Sequence, residues 1–344
     1  MSKILLQIRY LAEYLFAMTA YVLLKIQPRF VIRIFANMAG SLAYLFPPVY
    51  KLIEANIKTC FPEKTDREVK KIGRASMVNA IRNMLEFFWM SNNDRRIRRC
   101  LFHTERAKKL TQECIKNNER IVFVNPHIGS WEGSALSVPY YLDTPIAAVA
   151  NPLKNPYLNK LFNSGNRKQV KGLEVIFSKG AVRASIKALK NGSSIGILID
   201  QNTKVREGGT FVNFFGLPVP CSKAPAEFYR ACKHDNVKVK VYFGISLRGE
   251  DNILRADCIP LSKPENEYEP AEMIQELISI SEEFIRKNPE HYIWLYKRFA
   301  HIPQGIDEEL VKRYPYYSKK VKNSFYSRKK QFNVMDYLPK DLAK

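Results

Sequence analysis

"VFVNPHIGSWEGSA", residues 122–135, opens as an unbroken apolar run and ends on helix-forming residues; Pro126, His127, Gly129 and Ser130 fall at the change. An apolar run of this length bounded by turn residues fits a strand covered on both faces, with the turn at its carboxyl end. In a parallel sheet, ligands collect outside the carboxyl ends of strands, where amides of the following helix also point. His127 stands at such an end. A histidine there can act as a general base near neutral pH, because its ordinary pKa is about 6.5, and a carboxylate on its other ring nitrogen fixes the tautomer. Glu132, roughly one helical turn further on, is the candidate for that carboxylate. The pair brings no nucleophile, so its natural chemistry is to deprotonate a hydroxyl of a bound acceptor that then attacks an activated acyl group. Such assistance is worth about 10²- to 10⁴-fold. The H-x-x-x-x-E spacing alone fits equally well a histidine capping a helix beside an unrelated surface glutamate.

The pattern around this stretch sets the fold class. "RIVFVNP", "TPIAAVAN", "LEVIF", "SIGILID" and "VKVKVYFGISL" alternate with helical stretches such as "AVRASIKALKNG" and "APAEFYRACKHD". Alternation of this kind predicts an α/β fold, a mostly parallel sheet flanked by helices. From Ile57 to about Leu110 the period is helical, with a start signal at Thr65 and Asp66, and a further helix is expected from about Pro270 to Lys287. The 344 residues suffice for one large domain or two modest ones. Six cysteines at irregular spacings form no C-x-x-C pair and no zinc-ligand set, so they read as reduced, mostly buried thiols, and no metal is expected.

Residues 1–50 are apolar and aromatic but broken by Arg9, Glu13, Lys25, Arg29 and Arg33; the longest charge-free stretch, Tyr14 to Leu24, falls short of the roughly 20 residues that cross a bilayer. This favours a helical segment lying on or tilting into a membrane over a secretory signal or a core helix pair of a soluble domain. With 55 Lys and Arg against 33 Asp and Glu, the formal charge of +22 calls for an anionic partner: a membrane surface, an acidic protein or nucleic acid. Residues 306–344 form a basic, tyrosine-rich extension whose weak periodicity reads as solvated chain.

Other motifs fail. "GSWEG" lacks the G-x-S-x-G elbow, so Ser130 and Ser134 are poor nucleophile candidates, and neither a glycine-rich phosphate loop nor H-E-x-x-H is present. "TFVNFFGLPVP" reads mainly as a packed strand-turn, from which Phe214 and Phe215 could line an acyl channel. Burying about a dozen methylenes at roughly 0.8 kcal/mol each is worth on the order of 10 kcal/mol, so a fatty chain needs such a channel. "HYIWLYKRF" alternates aromatic and basic groups, a pattern also suited to stacked single strands. Here Tyr292 and Trp294 read as buried, with Lys297 and Arg298 as phosphate contacts, and no nucleic-acid partner is expected.

Taken in order, "NIKTCFPE" (56–63), "HIGSWE" (127–132), "NPLKNPYLNKLFNSGNR" (151–167), "ALKNGSSIGILIDQN" (188–202), "FVNFFG" (211–216) and "PEHYIWLYKRF" (289–299) resemble the bacterial lipid A biosynthesis acyltransferases. The resemblance spans about residues 1–305. It implies a glycerolipid-acyltransferase-like α/β sandwich over residues 51–305 behind a membrane-associated segment, at the cytoplasmic face of the inner membrane, with no cofactor. It also implies transfer of an acyl chain from a thioester, on acyl carrier protein or acyl-CoA, to a hydroxyl of a lipid A precursor. His127 would be the base and Glu132 its partner. Arg167 would hold a phosphate or a developing oxyanion, and Asp200 would hold Arg167. Ser130 stands where the family more often has asparagine, and "DQN" replaces a commoner second acidic residue. Two alternatives stay open: acylation of another glycolipid, such as a phosphatidylinositol mannoside, and a non-catalytic basic protein that binds membrane or nucleic acid.

Overall fold

The computed structural model describes residues 3–142, 144–167, 172–178, 180–327 and 332–339. Helices α1 (Lys3–Ile26), α2 (Arg29–Tyr44), α3 (Pro47–Cys60), α4 (Asp66–Met90) and α5 (Asp94–Cys100) come first, followed by β1 (Leu101–His103) and α6 (Glu105–Lys116). The expected start of α4 is a capping box. The Thr65 side chain accepts from the Glu68 amide, and the Glu68 carboxylate accepts from the Thr65 amide, so two donors that the helix leaves unpaired are satisfied reciprocally.

The α/β alternation then follows as the sequence predicts: β2 (Arg120–Asn125), α7 (Trp131–Leu142), β3 (Ile146–Ala150), α8 (Pro156–Asn159), β4 (Leu173–Phe177), α9 (Ala181–Lys190) and β5 (Ser194–Leu198). A hairpin of β6 (Gly209–Phe214) and β7 (Leu217–Ser222) leads to α10 (Ala224–His234), β8 (Val239–Arg248), β9 (Leu254–Pro260) and α11 (Pro270–Lys287). The central sheet has seven strands in the order β1-β9-β8-β2-β5-β3-β4. All neighbours pair in parallel except β8 with β9, which reverses the two strands at that edge.

Strand β2 lies at the centre, and its run alternates between two cores. Val122 and Val124 join the cluster under α9, α10 and α11, while Ile121 and Phe123 face the cluster under α4, α6 and α7. Each of these side chains, fully buried, contributes about 1.5–3 kcal/mol, which fixes the strand in the middle layer. All six cysteines are free thiols and buried.

The N-terminal helices dock on the second core through Tyr21 against Phe88, and the Trp89 indole donates to the Gln27 carbonyl at 2.8 Å. Their outer faces expose Ile4, Phe16, Ile26, Phe30 and Phe35. Among the described residues no single helix is long and apolar enough to cross a membrane; α2 and α3 reach that length and composition only together, across a 90° bend.

A buried ion cluster locks this N-terminal layer to the sheet. Glu86 on α4, 1 % exposed, receives Arg29 of α2 at 3.1 Å, Arg82 at 3.1 Å and Arg248 of β8 at 2.6 Å. Burial raises the Glu86 carboxyl, but the three guanidinium charges outweigh it and hold the group below its ordinary range. Removing one partner from such a cluster leaves uncompensated buried charge. Glu86→Gln is therefore expected to cost about 3–5 kcal/mol in urea unfolding, and a loss under about 1 kcal/mol would show that the cluster is not needed for folding.

Candidate active site

Two adjacent strand ends assemble the site. Strands β2 and β5 pair in parallel with Asn125 opposite Leu198, and the Ile199 amide continues the ladder to the Asn125 carbonyl at 3.0 Å. Carried two residues further, this register brings His127 opposite Asp200. The Asp200 carboxylate grips His127 twice, accepting from its backbone amide at 2.9 Å and from its ring Nδ1 at 2.6 Å. A carboxylate only accepts, so Nδ1 carries the proton and Nε2 keeps its lone pair. The Gln201 amide nitrogen lies 3.4 Å from that Nε2, and the Trp131 ring packs edge-on at 5.2 Å.

The electrostatics make the imidazole more basic than usual. Burial pulls His127 down, but the Asp200 charge and hydrogen bond, with a contribution from Glu132, carry it above its ordinary value. Burial likewise pushes Asp200 up, and His127, with the more distant Arg298 charge, brings it below the usual carboxylate range. Burial, then the Asp200 charge, raises the Tyr292 phenol, keeping it protonated.

The turn that presents His127 is clamped from three sides. The Gly129 amide donates to the His291 carbonyl at 2.9 Å, the Ser130 amide to Ser246 at 2.8 Å, and Ile293 to the His127 carbonyl at 3.1 Å. Asn83 donates to the Gly129 carbonyl. Gly129 has φ +61°, and a Cβ there would lie 2.0 Å from the Ser246 carbonyl oxygen, so only glycine fits this crossing.

A cavity of about 920 Å³ opens beside His127. Glu132, Asn125 and Gln201 lie among its polar lining, and Phe87, Phe88, Phe123 and Val138 among its apolar walls. Its floor on the sheet is low because Gly196 sits between Phe123 of β2 and Ala148 of β3.

Several expected roles change. Glu132 sits in the first turn of α7 and lines the cavity, but the carboxylate on Nδ1 is Asp200, which comes from a neighbouring strand end rather than from the next helix. Asp200 holds His127; Arg167 ends the π-helical turn Lys160–Arg167, and its side chain, with the expected contact to Asp200, lies outside the described residues. Phe214 and Phe215 are not channel walls. They are 1 % and 3 % exposed in the core under the β6–β7 hairpin, where Phe214 stacks on Phe299 and Phe215 meets Phe61 edge-on.

Arg298 is no phosphate contact: 2 % exposed, it donates to Asn202 Oδ1 at 2.9 Å, the Pro220 carbonyl at 2.8 Å and Cys221 Sγ at 2.7 Å. Lys297 stays exposed, its ammonium 5.8 Å from the Tyr317 ring centroid. Sequence reasoning missed Gln201, Asn202 and Gly196, although "IGILIDQN" contains all three and the strand register would have found them.

A histidine whose Nδ1 is held by a strand-end carboxylate thus stands beside a cavity with apolar walls. Residues 1–301 match the family model described as bacterial lipid A biosynthesis acyltransferase, and the chain belongs to that family. It is an acyltransferase, and the resemblance read from its motifs is borne out. No curated protein matches the chain significantly.

With Asp200 removed as a charge, burial acts on His127 with little to oppose it. Asp200→Asn is expected to bring the His127 imidazole from above 6.5 to below it, read from its ring resonances in an NMR pH titration. An unmoved titration would show that Asp200 does not set the base.

Proposed function

We propose that the protein moves a fatty acyl chain from a thioester on acyl carrier protein to a hydroxyl of a lipid A precursor, with His127 as general base. The observation that carries this reading is the His127 ring, held by Asp200 on Nδ1 with Nε2 left as the acceptor, at the edge of a cavity with room and apolar walls for a fatty chain. His127 Nε2 takes the proton of the acceptor hydroxyl as its oxygen bonds to the thioester carbonyl carbon. The tetrahedral adduct then expels sulfur, and the C–S bond breaks. The imidazolium, stabilised by Asp200, returns its proton to the leaving thiolate, so base and partner end as they began.

The charge of +22 supports the choice of partners, since an acidic carrier protein, a phosphorylated acceptor and an anionic bilayer would all be drawn to it. The exposed apolar faces of α1 and α2, interspersed with Arg9 and Arg33, support a seat at the cytoplasmic face of the inner membrane.

His127→Ala is expected to reduce transfer from acyl-carrier-protein to lipid A precursor by at least about 10²- to 10⁴-fold while binding to anionic vesicles is retained. Turnover near that of the unaltered protein would overturn the assignment, as would faster transfer from acyl-CoA for the donor. Gly196 has room for a side chain, with only Ile146 Cδ1 at 3.4 Å from an added Cβ. Gly196→Leu is therefore expected to keep the fold and shift preference toward shorter acyl chains in competition assays with mixed donors. An unchanged chain profile would place the acyl tail elsewhere.

A further inference from the structure

Residues 302–327 lie beyond the family match, and instead of trailing as solvated chain they pack back on the catalytic face. Strands β10 (His301–Ile302) and β11 (Lys319–Lys320) pair in parallel around α12 (Glu308–Lys312), and α13 (Asn323–Tyr326) follows. The aromatic residues act as separate anchors. The Tyr314 hydroxyl donates to the Pro218 carbonyl at 2.6 Å, the Tyr317 hydroxyl to Asn56, and Phe325 and Tyr326 lie 5.7 and 6.1 Å from the Phe211 ring.

The contacts converge on the segment that follows Asp200. Residues Gln201, Asn202, Thr203 and Glu207 of this segment line the cavity beside His127. Its first half is held by the 296–298 stretch. The Asn202 amide donates to the Tyr296 hydroxyl at 2.9 Å, its side chain donates to the Lys297 carbonyl at 2.9 Å, and Arg298 donates to its Oδ1. That stretch is continued by Phe299 and Ala300, whose backbone bonds to Tyr317 and Lys319 of the extension.

The second half is held by the extension directly. Arg206 Nη1 donates to the Ser324 carbonyl at 2.8 Å, and Val205 is buried with Phe211, Phe325 and Tyr326. The second half of the segment is therefore fastened directly to residues outside the family match, and the first half only indirectly, through the 296–300 stretch. The Asp200 side chain itself is held by His127, so the extension's leverage falls on the substrate-facing residues after it.

We propose that residues 302–326 are a brace that positions the 201–207 segment at the cavity mouth, with Phe325 and Arg206 as positioning residues for substrate. This rests on the acyl-transfer reading only where turnover is measured. A mouth segment released from its brace would sample geometries that do not hold the substrate, so binding would suffer before chemistry.

Full-length Phe325→Ala and Arg206→Ala are tested by amide hydrogen exchange and by steady-state acyl transfer. Arg206→Ala keeps the aromatic core intact, and Phe325→Leu serves if Phe325→Ala fails to fold. Exchange at residues 201–208 is expected to become at least about tenfold faster while β2 amides stay protected. KM is expected to rise about three- to tenfold with kcat within about twofold and the acid limb of the pH profile unmoved. Unchanged exchange at 201–208, or faster exchange with an unchanged KM, would overturn the brace. If the unaltered protein transfers no acyl group, the function proposed above fails and the exchange data alone decide the brace.

Discussion

The structure depends on one carboxylate shared between a backbone and a ring. Asp200 accepts from the His127 amide and from Nδ1, so a single side chain fixes where the turn after β2 sits and which nitrogen of the imidazole stays free. The bond is available because β2 and β5 are parallel neighbours in register, which brings two strand ends 73 residues apart side by side. Buried, Asp200 would tend toward its neutral form; opposed by His127, it stays charged, and that charge in turn keeps the histidine basic. Neither group would hold its state without the other.

The surrounding shell is arranged around that pair. Gly129 lets the turn cross within contact of β8, Asn83 ties the turn to α4, and the Glu86 cluster ties α4 to the N-terminal layer. The N-terminal helices with their exposed apolar faces, the buried ion cluster and the turn that carries His127 thus form one continuous path of contacts. On the opposite side Arg298 joins Asn202 to the β7 strand, whose own packing reaches the C-terminal extension.

Much of this was legible in the sequence. Mostly apolar runs identified β2, β3, β5 and β8, because strands covered on both faces need no alternation, and also the edge strand β4, while Thr65 and Pro270 marked helix starts correctly. Strand β9, "LRADCIP", went unseen because Arg255 and Asp257 break its apolar pattern and it runs antiparallel at the far side of β8; β1 is three residues long. Glu132 was read as the partner of His127 because it is near in sequence, whereas register joins residues that sequence separates. The aromatic pair Phe214 and Phe215 has the composition of either a channel or a core, and only packing distinguishes them. In the extension, average composition hid the anchors, since one tyrosine or phenylalanine every few residues suffices to fasten a short segment.

Membership in the lipid A acyltransferases and the geometry at His127 meet in a single cellular readout. Mass spectrometry of lipid A from cells lacking this chain should show the loss of one fatty acyl mass, restored by the unaltered gene but not by an allele carrying Asp200→Asn. A spectrum unchanged by the loss of the protein, or fully restored by the asparagine allele, would contradict the account.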